Sequence, residues 1–164
     1  MRYIHQHPDW PNLRWDELVW ELHQIMKEEL DYHYEAANLR RMRKTLRAHR
    51  VYAPRLYEKL SSKRVLVMEF LPLVPMSDFI RMKQKDPARL RKWLLENNIR
   101  PSKIAKRLVD TLHRQMFEDN LFHADLHPGN IGLLRNSRLV LIDFGTVGSN
   151  EGEMLALNKQ YNAA

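Results

Sequence analysis

Cysteine is absent from the 164 residues, and glycine is scarce, with only five. Without cysteine the chain forms no disulfide bond and offers no thiolate to a metal, which is compatible with a reducing compartment. Long apolar runs are also missing. The opening MRYIHQHPDW has no hydrophobic stretch of the signal-peptide kind, and the longest nearly uncharged patch, FLPLVPM, falls far short of the roughly 20 residues of a spanning helix. We therefore expect no segment of these residues to cross a membrane.

What is present indicates a globular domain with a basic surface. Hydrophobic residues make up 44% of the chain and four of its residues are tryptophan, so a packed core is expected. The net charge of +7 is concentrated in LRRMRKTLRAHR and RMKQKDPARLRKW, which favours anionic partners or simply solvated helix faces. The basic residues show neither aromatic interleaving nor zinc-finger spacing. We therefore expect no nucleic acid partner.

Apolar periodicity predicts mostly helix with a few short strands. Spacings of three and four from Arg14 to about Arg50 indicate helix, and a bend at 31–34 would divide it in two. The apolar run RVLVMEFL, Arg64 to Leu71, suits a buried strand. Three further helices are expected at Met76 to Gln84, Pro87 to about Asn97 and Pro101 to about Asp119, followed by a hairpin of IGLL and RLVLIDF that ends at Asp143. The predicted fold class is α+β.

The stretch FHADLHPGNIGLL carries the residues that point to chemistry, and it has two readings. His123, Asp125 and His127 alternate in the loop and could form a zinc or iron triad. Alternatively, Asn130 lies five residues beyond Asp125, and Asp143 of the DFG tripeptide lies thirteen beyond Asn130 at the end of a strand. Phosphoryl transfer from ATP needs such a set: a carboxylate near the attacking hydroxyl, then an amide oxygen and a second carboxylate for Mg²⁺. The second reading uses more of the sequence.

Four stretches in order, EELDYHYEAANLRRMRK, VLVMEFL, FHADLHPGN and LIDFG, resemble the UbiB/AarF/ADCK family of atypical protein-kinase-like proteins, from about Trp15 to Gly148. The resemblance implies a kinase-like fold that binds ATP with Mg²⁺ and acts as a small-molecule kinase or ATPase. It also implies a link to ubiquinone or related isoprenoid lipid metabolism. The implied partners are ATP, a quinone-precursor lipid, and an acidic membrane surface or a quinone-biosynthesis complex, with a cytoplasmic or organellar location, peripheral at a membrane.

The resemblance also assigns site residues. Asp125 would orient the acceptor or act as base, and Asn130 and Asp143 would hold Mg²⁺. The ExD element of the family falls on Glu29 to Asp31 and the EAA element begins at Glu35. The hinge that borders adenine would be Glu69, Phe70 and Leu71, acting mostly through backbone groups.

The helix itself supports a site on its acidic side. Glu28, Asp31 and Glu35 fall on one side at spacings of three and four, joined by Asn38. Like charges so placed repel, so we expect a cation among them, which in kinase-like folds is a strand lysine. The competing interpretation is a solvated acidic face balanced by the arginines that follow, which also suits the helix dipole.

The chain departs from the family in ways that limit its expected activity. Leu126 stands where the family has proline and Leu73 where it has glycine. The KxGQ motif, the alanine-rich loop and the strand lysine of complete members are not found before Trp15. We therefore expect one partial kinase-like domain, residues 1–71 being a remnant of the N-terminal lobe and 72–164 part of the C-terminal lobe, with little activity alone.

Two other functions remain open at this point. One is a pseudokinase-like module that docks on an acidic membrane or a biosynthetic complex. The other is a phosphotransferase of the aminoglycoside or choline kinase type, which shares the HxDxxxxN spacing but not the EELDYxxEAAN helix.

Overall fold

The computed structural model describes residues 14–163, apart from the side chains at positions 15, 24, 25, 27–29, 157–159, 162 and 163. The opening of the chain, up to Leu13, lies outside the described residues. Within them the helices are α1 Trp15–Glu29, α2 Tyr32–Ala48, α3 Met76–Lys85, α4 Pro87–Glu96, α5 Pro101–Phe117 and α6 Gly152–Ala163. The strands are β1 Val74–Pro75, β2 Phe122–His123, β3 Ile131–Leu134, β4 Arg138–Leu141 and β5 Val147–Gly148. The mixture of helices and short strands confirms the α+β class.

The predicted bend in the first helical stretch is confirmed, and Asp31 is the residue that causes it. Its backbone is extended, with φ −125° and ψ 96°, and its carboxylate accepts a hydrogen bond from the His33 amide at 3.1 Å. This is an N-cap, because the side chain satisfies an amide that has no partner inside the helix. The stretch is therefore two helices, and α2 starts in a fixed direction.

Prolines mark the starts of two later helices where the sequence predicted them. Pro87 and Pro101 occupy the first helical turn, where a missing N–H costs nothing, and the Asp86 carboxylate accepts from the Arg89 amide. The observed ends differ from the expected ones by one or two residues, which is ordinary for helix termini.

The sheet that supports the loop has the order β1-β3-β4, with both pairs antiparallel. The β3–β4 hairpin is the one predicted, but β4 ends at Leu141 and not at Asp143. The Ile142 amide still donates to the Asn130 carbonyl at 2.9 Å, in register with the hairpin, but Asp143 has a φ of 65°, outside the strand region, and the pairing ends there. A second two-stranded ribbon, β2 with β5, flanks the DFG tripeptide on the other side.

The segment 64–71 is extended but is not a continuous strand. Hydrogen bonds join it to the segment before it, from the Tyr57 amide to the Val67 carbonyl at 2.9 Å and from the Glu69 amide to the Arg55 carbonyl at 2.8 Å. The pairing stops there because a 3-10 turn, Glu58–Leu60, ends the partner segment. The prediction of a buried strand was thus too strong: positions 66–69 are half-buried, and Phe70 is 89% exposed.

The core fixes α2 against the hairpin. The apolar face of α2, two residues of β4 and the DFG phenylalanine are fully buried; they are Leu39, Met42, Leu46, Leu139, Leu141 and Phe144. Each such side chain contributes about 1.5–3 kcal/mol by leaving water. This packing sets the rotation of α2 about its axis and so decides which polar side chains of α2 meet the DFG tripeptide. Among the helices described, none combines the length and apolarity needed to span a bilayer.

Candidate functional site

The loop between β2 and β3 is closed by Asn130. Its amide nitrogen donates to the His127 carbonyl at 2.9 Å, and its side-chain Nδ2 donates to the Asp125 carbonyl at 3.1 Å. Because Nδ2 is used inside the loop, the oxygen Oδ1 is the atom that Asn130 can offer to a cation. The Asp125 side chain is 61% exposed, so a second molecule can reach its carboxylate.

Asp143 has the left-handed backbone conformation, with φ 65°. For a residue other than glycine this costs on the order of 1 kcal/mol or more and persists only where neighbouring contacts impose it. Its Oδ1 accepts a hydrogen bond from the Gly145 amide at 3.1 Å, which turns the chain just after the strand. Asp143 thereby stands exposed at the end of the hairpin.

Two side chains of α2 form hydrogen bonds with the backbone of Phe144, the residue after Asp143. Oε1 of Glu35 accepts from the Phe144 amide at 3.3 Å, and Nδ2 of Asn38 donates to the Phe144 carbonyl at 3.0 Å. Two side chains one helical turn apart therefore hold both polar groups of one peptide residue. The Phe144 ring is fully buried and lies 5.6 Å from the His123 ring, centroid to centroid. We call the hydrogen bonds from Glu35 and Asn38 to the Phe144 backbone the Phe144 clamp.

Glu35, Asn130 and Asp143 line one cleft of about 620 Å³. The cleft continues along the extended segment, where Arg64, Leu66 and Met68 form its other wall. Sequence reasoning missed Arg64 and Met68 as lining residues. Nothing in their local pattern distinguishes them, because the cleft arises from segments far apart in the chain.

The environment of the cleft raises the pKa of one of its carboxylates, Glu35. Burial raises the pKa of Glu35 above its ordinary value, the nearby Asp143 charge raises it further, and the Phe144 amide acts in the opposite direction. Crowded carboxylates that face one cleft with an amide oxygen make an oxygen-rich site that suits a hard cation such as Mg²⁺.

Asp31 does not line this cleft, and its carboxylate has other partners. Its carboxylate caps α2, pairs with His33 at 2.9 Å and lies 3.7 Å from Nζ of Lys63. The His33 amide is the main cause of its lowered pKa. The sequence predicted a cation shared by the acidic side chains of the helix. In the described residues Asp31 instead lies beside Lys63, and Glu35 accepts a hydrogen bond from the Phe144 amide. Glu29 ends α1, and its side chain lies outside the described residues, as does that of Glu28.

The hinge residues place their side chains away from the cleft. The Glu69 carboxylate accepts from the Tyr52 hydroxyl at 2.7 Å and from the Arg55 amide at 3.0 Å, and the Tyr52 bond is the main cause of its lowered pKa. The Leu71 carbonyl accepts from the Leu73 amide at 2.8 Å. The Glu69 carbonyl and the Leu71 amide form no hydrogen bond with the described part of the chain.

The zinc or iron triad is not supported. The His123 ring is buried, whereas the Asp125 and His127 side chains are exposed and stand 3.9 Å apart. His127 Nδ1 accepts from the Gly129 amide at 3.0 Å, which shapes the turn. Among the residues described, no group of three His, Cys, Asp or Glu could hold a metal ion.

The loop, the hairpin and the helix that grips the DFG backbone define a protein-kinase-like fold. The chain belongs to the ABC1 atypical kinase-like domain family, which it matches over residues 1–157. This match to the family disfavours the aminoglycoside or choline kinase type.

Relatives and a solved structure agree with that assignment. The chain is 32% identical over 157 residues to the probable protein kinase UbiB of Histophilus somni, covering 92% of this chain and 27% of that protein. It is 33% identical over 147 residues to the protein of the same name from Pectobacterium carotovorum, covering 87% and 25%. A solved structure of Rv3197 with erythromycin, from Mycobacterium tuberculosis, superposes with a TM-score of 0.58 at 30% identity, covering 89% of this chain and 33% of that one. The chain thus spans about a quarter of the length of the curated relatives it matches.

Proposed function

We propose that these residues form the central part of a UbiB-type atypical kinase or ATPase, and that the cleft binds ATP with Mg²⁺. Residues 1–71 would belong to the N-terminal lobe and 72–164 to the C-terminal lobe. The observation that carries the proposal is that Glu35, Asn130 and Asp143, 108 positions apart at the extremes by number, line the same cleft.

The metal would be held by Oδ1 of Asn130 and the carboxylate of Asp143. Both are oxygen ligands of the kind that Mg²⁺ takes, and two protein ligands are enough because phosphates and water complete the shell. Bound with the nucleotide, Mg²⁺ would neutralise charge on the phosphates. The Phe144 clamp holds Asp143 in its strained conformation, so the carboxylate needs no rearrangement to receive the ion.

Asp125 would orient the attacking group. Its carboxylate is exposed at the mouth of the loop, while its carbonyl is tied to Asn130. It can therefore accept a proton, or a hydrogen bond, from a hydroxyl or a water without disturbing the metal ligand.

Adenine would lie against the hinge. The Glu69 carbonyl and the Leu71 amide are an acceptor and a donor two residues apart, and the described residues leave both of them without a hydrogen bond. Such a pair suits the edge of a purine, while Leu66 and Met68 offer apolar contact. Phe70, between them, would contribute only its backbone.

The similarity to relatives named probable protein kinase UbiB supports a role in ubiquinone or related isoprenoid lipid biosynthesis. ATP would be the first substrate, and a quinone-precursor lipid or water would be the acceptor. We propose no nucleic acid partner.

Paramagnetic broadening by Mn²⁺, a probe for the Mg²⁺ site, tests the metal and nucleotide assignment on the chain itself. With ATP present, we expect Mn²⁺ to broaden the NMR signals of Asn130, Asp143 and Glu35 first. Asp143→Asn should abolish this effect. Asp110→Asn, the same change at an exposed position of α5, is the matched control and should leave it intact. Unchanged broadening in Asp143→Asn would remove Asp143 as a ligand.

Turnover by these residues alone should be negligible. Among the described residues Glu35 has no lysine partner, and its carboxylate is occupied by the Phe144 amide. A lysine on the phosphates is part of the charge stabilisation that phosphoryl transfer requires. Phosphate release from ATP that disappears in Asp125→Asn would contradict this expectation.

A further inference from the structure

A second cleft lies on another face of α2. It has a volume of about 840 Å³ and lies between α2, the segment 50–58 and the start of β4. Six cationic side chains line it: Arg40, Arg43, Lys44, Arg47, Arg50 and Arg138. We call it the arginine cleft. The α2 residues that border it repeat at spacings of three and four and so form one stripe, distinct from the side of α2 that carries Glu35 and Asn38.

Within the described part of the chain the six cations of the arginine cleft make a single ion pair, although the charge of Arg43 also acts on the Glu69 carboxylate. Glu58 is the single carboxylate that lines it, and Glu58 is paired with Arg40 at 3.1 Å. Arg43, Lys44, Arg47 and Arg50 have no ion pair among the described residues. Within α2, Arg40 with Lys44 and Arg43 with Arg47 are like-charge pairs four residues apart, which repel. An anion in the cleft would relieve that repulsion.

The inside of the cleft is not uniformly polar. Leu39, Val51 and Leu139, all buried core residues, form its floor. On one wall the Arg138 guanidinium lies 5.2 Å from the centroid of the Tyr52 ring, a cation-π arrangement. A ligand with an apolar or aromatic part would therefore find contact here as well as charge.

From this geometry we propose that the arginine cleft binds a soluble organic phosphate with several anionic oxygens and a small apolar body. Arginine forks match phosphate oxygens in pairs, and five of the six cations are arginine. The volume is within the usual range of small-molecule sites, and cations around a hollow reinforce one another's field more than on a convex face. The site is separate from the proposed nucleotide cleft and does not rest on it.

Titration calorimetry with inorganic tripolyphosphate, on protein freed of metal ions by a chelating resin, tests the proposal on the chain as it exists. We expect saturable binding of one tripolyphosphate per chain. The variant Arg43→Gln/Arg47→Gln should bind at least about tenfold more weakly, because it removes charge-assisted bonds to phosphate. Arg89→Gln/Arg91→Gln, an equal charge change at exposed positions of α4, is the matched control and should stay within about twofold.

Two further measurements separate a built site from general attraction. Arg43→Lys/Arg47→Lys keeps the charge but loses the forks, so we expect an intermediate affinity. Naphthyl phosphate should bind more tightly than inorganic phosphate because its ring contacts the apolar floor, and equal affinities would contradict the proposal. Thermal unfolding midpoints check that the glutamine variant is folded, and we expect its midpoint to be unchanged or higher because repulsion has been removed.

The proposal would be overturned by equal weakening in the cleft variant and its control, or by binding without saturation. It would also be overturned if Arg64→Gln, in the nucleotide cleft, weakened the metal-free binding as much as Arg43→Gln/Arg47→Gln does, since that would place the anion in the nucleotide cleft. Vesicles of anionic lipid that displace tripolyphosphate through Arg43 and Arg47 would identify a lipid surface, not a soluble ligand, and would equally contradict it.

Discussion

Removing the Asn38 side chain tests whether α2 holds the DFG backbone in place. In Asn38→Ala the Phe144 carbonyl loses its donor at 3.0 Å, while the Glu35 contact to the amide of the same residue remains. The strained φ of Asp143, immediately before, would then lose one of the contacts that impose it. We expect lower stability and a looser DFG segment.

The magnitude follows from the environment of the bond. A hydrogen bond between partly buried groups contributes about 1 kcal/mol net, and leaving the carbonyl poorly solvated adds on the order of another 1 kcal/mol. Alanine recovers about 0.5 kcal/mol of helix propensity. The net loss in unfolding free energy should be about 1–2 kcal/mol. For Asn38→Asp, which sets an acceptor against the carbonyl and a second charge one turn from Glu35, we expect about 2–3 kcal/mol.

Urea denaturation measures the free energy, and hydrogen exchange measures the local effect. The Phe144 amide should exchange about tenfold faster in Asn38→Ala, since about 1.4 kcal/mol corresponds to a factor of ten. Arg41→Ala, at an exposed position of α2, is the control and should change neither quantity by more than a few tenths of a kcal/mol. A loss below about 0.3 kcal/mol in Asn38→Ala with unchanged exchange at Phe144 would refute the clamp.

Three further predictions concern other parts of the molecule. Burial, with the Asp143 charge, raises the pKa of Glu35 in the folded state, so the stability linked to its protonation is fully present below its ordinary pKa of about 4.5 and is lost as pH rises through the folded pKa. Glu35→Gln should therefore be more stable than the parent at pH 7, and the difference should shrink toward pH 4 in urea titrations. Leu46→Ala, at a fully buried position of α2, should cost about 2–5 kcal/mol, and a cost under about 1 kcal/mol would show that the site is not packed. Tyr52→Phe removes the 2.7 Å bond to Glu69 and should cost about 1 kcal/mol, with a rise of the Glu69 pKa in NMR titrations; an unmoved pKa would contradict the assigned contact.

Local chemistry made the helices and the hairpin predictable. Prolines at the first turn mark the starts of α4 and α5, and polar residues mark the turn between β3 and β4. The bend before α2 was expected, but the cap that Asp31 makes there is seen only in the structure. The segment 64–71 was harder, because an apolar run indicates a strand only if a partner of sufficient length lies beside it. Its neighbour pairs through a few bonds and then ends in the Glu58–Leu60 turn.

The candidate site was also predictable from the sequence only in part. Asp125, Asn130 and Asp143 were candidates because their spacing around a hairpin matches a known chemical need. The acidic side of α2 was also visible, but not its partners: the pattern grouped Asp31 with Glu35, whereas the structure gives Asp31 to Lys63 and Glu35 to the Phe144 amide. The spacing of charges on a helix shows which residues share a side of the helix. It does not show which residues elsewhere in the chain that side contacts.

By itself the sequence determined the order of the helices, the loop that carries Asp125 and Asn130, and the hairpin that ends near Asp143, since each depends on residues within a few positions of one another. The tertiary structure alone decided that Glu35 and Asn38 would hold Phe144, across separations of 109 and 106 residues. It also decided that the arginines of α2 would border a cleft. The physical reason is that burial of Leu39, Met42 and Leu46 against the hairpin sets the rotation of α2, and that rotation assigns every other side chain of the helix its surroundings.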